Sequence, residues 1–140
     1  MRNKELKKAR DKALCAVYRK ALAECTFATM REVARYVCKQ PAPRFYIEAE
    51  KASILIGRIL SNVSLINQNN CTRRLSWELF RRYKAYLAAH PDSKLSRERV
   101  LELLVDEPAP EFYIEAQCAR KIIYKERKRR KQEWEKTLHV

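Results

Sequence analysis

A nine-residue phrase, Pro41-Ala42-Pro43-Arg44-Phe45-Tyr46-Ile47-Glu48-Ala49, returns as Pro108-Ala109-Pro110-Glu111-Phe112-Tyr113-Ile114-Glu115-Ala116. The offset is 67 residues, and eight of the nine positions are identical. This repeat constrains the fold more than any other feature, because it implies one supersecondary unit used twice. The likeness extends to both sides. Thr29, Val33 and Val37 fall on Ser96, Val100 and Leu104, while Ala52, Leu55 and Ile56 fall on Ala119, Ile122 and Ile123. Further back the offset drops to 65, with Tyr18–Ala23 against Tyr83–Ala88 and the two extra residues near His90-Pro91-Asp92.

The expected architecture is therefore all-α: a tandem duplication of a three-helix unit, each with an extended Pro-Ala-Pro connector before its third helix. Residues 1–60 form repeat one, 61–74 a linker, and 75–140 repeat two, which ends in a long basic C-terminal helix. Half of such a chain buries only a marginal core alone. The halves are expected to pack as one compact domain about a pseudo-two-fold axis. A single glycine, Gly57, leaves little turn chemistry for hairpins and points the same way.

Local signals place the helices. Asn3 is a cap for a first helix whose apolar residues, Leu6, Ala9, Ala13, Leu14, Val17, Tyr18, Ala21 and Leu22, recur every three or four positions. Thr29-x-x-Glu32 is a capping box, opening a helix that turns Val33, Tyr36 and Val37 inward. Pro41 and Pro43 stop it, since proline removes a donor and restricts the preceding residue. In the extended connector Phe45 and Ile47 face one way and Tyr46 the other. The aromatics read first as core anchors; base stacking is the other use of such residues. The two Phe-Tyr-Ile segments are candidates to pair as a short ribbon. Glu48, Glu50 and Glu115 suit the first turn of a helix. Ala52, Leu55, Ile56, Ile59 and Leu60 form the buried face of that third helix, with Gly57 allowing close contact. The Asn-rich segment 61–74 reads as loop, Ser76 as the next cap, and Leu79, Phe80, Tyr83, Tyr86 and Leu87 as an inner face. Ser96 caps a helix with Val100, Leu103 and Leu104 inside.

Charge is unevenly placed. The net is +14, and residues 1–24 carry +5 and residues 117–140 carry +6, against +3 for the 92 residues between. A polyanion is the natural partner for two basic ends. In the first helix Lys7, Lys8, Arg10 and Lys12 lie opposite the apolar stripe. In the last, six of the seven residues from Lys125 to Lys131 are basic: Lys125, Arg127, Lys128, Arg129, Arg130 and Lys131. Lys121 precedes them, and Arg81 and Arg82 face out from the first helix of repeat two. These thirteen residues are the candidate phosphate contacts; a plain solvated surface is the alternative use of the same charge. Trp134 and Leu138 restore an apolar spacing at the end of the basic helix and mark a docking tip for a partner or another copy.

Much chemistry is missing. The only histidines, His90 and His139, abut a proline and the end of the chain. There is no Gly-rich phosphate loop, zinc spacing or nucleophile elbow. No cofactor, metal or catalytic residue is expected, and the chain reads as non-enzymatic. Five cysteines without a Cys-x-x-Cys pair read as reduced core thiols. The start of the chain is not a secretory signal, and no run has the length of a membrane span. A helix-turn-helix is disfavoured: the connector has about eight residues and two prolines where that motif uses three or four.

Pro-Ala-Pro-x-Phe-Tyr-Ile followed by an Ala-containing helix resembles a motif of small uncharacterised proteins of Bacteroidetes and their crAss-like phages. The resemblance covers nine residues twice and implies no activity or site residue. It does imply a setting, a bacterial cytoplasm or a phage particle. Two functions are thus expected to compete. One is binding of nucleic acid, DNA before RNA, through phosphate contacts. The other is a structural or assembly role in a virion, with the basic arms docking on capsid, portal or tail partners or on packaged DNA.

Overall fold

The structure, a computed structural model, describes residues 2–65 and 67–138. It is all-helical. The helices are α1 (Arg2–Glu24), α2 (Met30–Cys38), α3 (Ala49–Leu60), α4 (Asn70–Ala89), α5 (Arg97–Val105) and α6 (Ala116–Leu138). No strand occurs among the described residues; one isolated antiparallel bridge joins Ala42 to Ala109.

Each boundary has a local cause. Thr29 Oγ1 accepts from Glu32 N at 3.2 Å, and the Glu32 carboxylate reaches back to Ala28 N at 3.0 Å, one residue beyond the usual capping-box partner. Ser96 caps α5 through Arg99 N. α3 ends in a Schellman motif without glycine: Asn62 takes φ 57°, its N–H donates to Ile59 O, and Val63 N–H donates to Arg58 O. Asparagine tolerates that left-handed position better than most residues.

The helices pair across the chain. α2 packs on α1 and α6, α3 on α4 and α5, α4 on α5, and α1 on α6. One buried cluster runs through all six helices and both connectors, with Leu14, Val37, Phe45, Ile56, Leu79, Val100, Leu101 and Ile123 fully enclosed. At roughly 1.5–3 kcal/mol for each large apolar side chain taken out of water, this shared interior is the main stabilising term.

The connectors meet at its centre. Ala42 and Ala109 exchange two N–H···O bonds of 2.9 Å, Phe45 N–H donates to Val105 O at 2.9 Å, and Phe112 N–H donates to Cys38 O at 3.3 Å. Phe45 stacks on Tyr113 and Tyr46 on Phe112, with centroids 6.0 and 6.2 Å apart. Phe45 and Ile47 are buried and Tyr46 is half-buried, as strand alternation predicts. The aromatics are core anchors. The pairing itself falls on the alanines and not on the Phe-Tyr-Ile segments. Prolines flank each alanine and lack an N–H, so the ladder cannot extend beyond one bridge. Tyr113 holds φ 54°, a strained value for a bulky residue.

Several expectations are corrected. α1 starts at Arg2, so Asn3 lies inside it. Residues 70–74 of the expected linker are the first turns of α4, capped by Asn69, whose side chain accepts from Thr72 N at 2.8 Å. Ser76 is therefore no cap: it is fully buried within α4, and its hydroxyl donates to Thr72 O at 2.7 Å. A polar Asn-rich segment hides a helix start because asparagine serves loops and N-caps equally. Tyr36, Leu60, Leu87 and Leu103 are exposed, and in α5 the buried positions are Val100, Leu101, Leu104 and Val105. Cys15, Cys38 and Cys71 are buried, but Cys25 and Cys118 are exposed; all five are free.

Candidate nucleic-acid interface

α1 and α6 carry the two basic ends of the chain and pack side by side. Between them runs a groove of about 820 Å³. Helical spacing sets its walls. Lys7, Arg10 and Asp11 come from α1, and Lys121, Lys125, Lys128, Arg129 and Gln132 come from one stripe of α6. Cys15, Cys118, Ile122 and Glu126 complete the lining. Burial pushes the Cys15 thiol up from its ordinary value, and Glu126 adds to the shift, so this sulfur is not a thiolate at neutral pH.

The groove cations divide into two kinds. Lys7, Lys121, Lys125 and Lys128 make no ion pair among the described residues. The arginines are engaged. Arg10 bonds Asp11 at 3.1 Å. Arg129 bonds Glu126 at 3.0 Å and Glu133 at 2.5 Å. Glu126 also accepts from Arg130 at 3.0 Å and from Arg19 of α1 at 3.2 Å, tying the two helices together. Hydrogen bonding, led by Arg129, holds the Glu126 carboxyl below the usual carboxylate range.

The other candidates fall outside the groove. Lys8, Lys12, Arg127 and Lys131 are exposed on the flanks of α1 and α6 and make no ion pair among the described residues. Arg81 and Arg82 lie on α4, away from both ends. Arg81 is bound by Glu78, whose carboxyl it holds down. Arg82 does not face freely outward. It is 22% exposed, donates to Pro108 O at 2.9 Å, pairs with Glu107 at 3.4 Å and lies 4.8 Å over the Phe45 ring. Its fork braces the second connector, and it is removed from the set of free cations.

Trp134 and Leu138 stand exposed at 65% and 60% on the end of α6. His90 stacks on Tyr86 and places Nδ1 3.0 Å from Tyr86 O, a helix-end role; His139 lies outside the described residues. Glu48 is the N-cap residue of α3, without a side-chain cap bond.

Sequence reading missed one set of cations. Arg31 and Arg35 of α2 and Arg120 of α6 surround a hollow of about 310 Å³. Arg31 and Arg35 sit at i and i+4, which signals a shared face, but their meeting with Arg120 depends on the packing of α2 on α6.

Among the described residues no helix is long and apolar enough to cross a membrane. No family model, no curated protein and no solved structure matches this chain.

Proposed function

We propose that this is a non-enzymatic protein that binds nucleic acid, DNA before RNA, by contacting phosphates in the α1/α6 groove. One observation carries the reading: four lysines from the two ends of the chain line a single groove, with no carboxylate among the described residues paired to them. Unneutralised cations in a channel are the electrostatic footprint of a polyanion site, and lysine binds phosphate as a point charge without needing fixed geometry. Base readout is not part of this proposal.

The scaffold for the groove is proposed to be a tandem duplication with its halves about a pseudo-two-fold axis. The exchange of contacts supports this. The bridge joins Ala42 to the residue at its own repeat position, and the pair Phe45–Tyr113 becomes Tyr46–Phe112 when repeat positions are swapped. The α2–α6 contact has its counterpart in α5–α3, and α1–α6 in α4–α3.

The test is a salt titration of affinity for a DNA duplex, comparing the full chain with a truncation after Tyr124 whose helicity is checked by circular dichroism. Tight binding that weakens steeply with salt, with a log–log slope of about −0.9 per phosphate contacted, and collapses on truncation is the expected result. Little binding at physiological salt would sink the proposal.

A second reading has its own observation. The exposed Trp134 and Leu138 suit a structural or assembly component of a phage particle, docked on capsid, portal or tail proteins through that tip. Weak DNA binding together with a protein partner that quenches Trp134 fluorescence would favour it.

A further inference from the structure

We infer that copies of this chain associate with one another, the basic face on α2 and α6 of one copy meeting the acidic face on α5 and α3 of another. The inference starts from an inversion of charge within the repeat. At the 67-residue offset Arg31, Arg35 and Lys39 correspond to Glu98, Glu102 and Asp106. Both triplets run at i, i+4 and i+8, so each forms one stripe along its helix and cap.

Each stripe is reinforced by the element packed beside it. Arg120 of α6 and Arg74 of α4 join the basic stripe around two adjoining hollows that share Arg35. Glu48 at the N-cap of α3, Glu50 of α3 and Glu5 of α1 join the acidic stripe around a hollow of about 520 Å³. The charged lining is five basic residues against one acidic on the first face, and six acidic against one basic on the second.

Some of this charge is met within the chain. Lys39 and Arg74 reach Glu111, Glu102 reaches Arg99, and Asp106 reaches Arg44. Arg31, Arg35 and Arg120 on one side, and Glu5, Glu50 and Glu98 on the other, make no ion pair among the described residues. One copy cannot bring its own stripes together, because α2 and α5 do not pack on each other. A second copy supplies what each face lacks: an opposite set of charges on the same helical spacing. The match in shape between the faces rests on the duplication proposed above; the match in charge does not. The contact is heterologous, two different surfaces meeting, and complementary potentials fix its register.

The experiment is sedimentation velocity on nuclease-treated full-length protein at about 0.05 M and about 0.5 M salt, where screening shortens the reach of charge severalfold. The wild type is expected to sediment at twice or more the 16.6 kDa chain mass in low salt and as a monomer in high salt. R31E/R35E keeps its acidic face and cancels the basic one, to three basic against three acidic residues, and E98R/E102R keeps its basic face and cancels the acidic one, to three basic against four acidic. Each alone is expected to stay monomeric, and an equimolar mixture to associate again. Circular dichroism checks their fold, and if either is unfolded the neutral pair R31Q/R35Q and E98Q/E102Q replaces them, each expected to weaken association at least tenfold. A wild type that is monomeric in low salt, variants that associate like the wild type, or a mixture that stays monomeric would each overturn the inference. Neither variant touches Lys7, Lys121, Lys125 or Lys128, so loss of association and loss of DNA binding are read separately.

Discussion

The α1/α6 groove and the arginine pair of α4 look alike in sequence and differ in the folded protein. In both, basic residues sit opposite an apolar stripe. In the groove, Lys121, Lys125 and Lys128 line open space without an ion-pair partner among the described residues, while Arg82 on α4 is held by Pro108 O, Glu107 and the Phe45 ring. The difference lies in what packs beside each helix. α4 runs past both connectors, the second offering the Pro108 carbonyl and the first the Phe45 ring, and a planar guanidinium can use both at once. α6 runs past α1, which offers mostly more positive charge. The same cation is thus a brace in one place and a free charge in the other.

The largest effect that would sharpen this contrast is on affinity. K121Q/K125Q/K128Q is expected to weaken DNA binding on the order of a hundredfold at low salt and to flatten the salt slope by about three phosphates, measured by fluorescence anisotropy. Unchanged affinity would break the comparison. Next comes R82A, which removes a hydrogen bond and a cation–π contact to the core. It should cost about 2 kcal/mol in denaturant unfolding while changing DNA affinity less than about twofold. If affinity fell and stability held, Arg82 would belong with the lysines.

Glu126 offers a smaller effect of opposite sign. E126Q releases Arg19 and Arg130 and leaves Arg129 with Glu133 alone, and DNA affinity should rise about threefold to tenfold as freed charge becomes available. Its pH behaviour follows from the same contacts. The folded carboxyl titrates below its unfolded value, so its stabilisation is complete above about pH 4.3 and is lost as pH falls through the depressed folded value. E126Q should show a shallower acid-side loss of stability than the wild type in urea titrations. The smallest effect is expected from R81Q. Its ion-pair partner among the described residues, Glu78, is three residues away on the same helix, and pairs made by so exposed an arginine contribute little to stability. A larger loss in thermal unfolding would show that Arg81 braces the structure as Arg82 does.

The helices were legible in the sequence because their causes are local. The Thr29 and Ser96 caps, the Pro41 and Pro43 stops and the three- and four-residue spacing of α1 act within a turn or two of chain. The burial of Phe45 and Ile47 followed from strand alternation. The miss at α4 was also local: Asn69 caps a helix from within a segment that composition assigns to loop. Half of the site was legible too, since the concentration of charge in the two ends needs no structure to see.

What the sequence alone determined, then, is the repeat, the helices and where positive charge accumulates, all properties of residues close together in the chain. Only the tertiary structure decided which charges remain free. Arg82 meets Pro108 and Glu107 some 25 residues away, Glu126 meets Arg19 across 107, and Arg120 joins Arg31 and Arg35 only because α2 packs on α6. Pairing depends on distances of a few ångströms between segments far apart in the chain, and no local pattern encodes those distances.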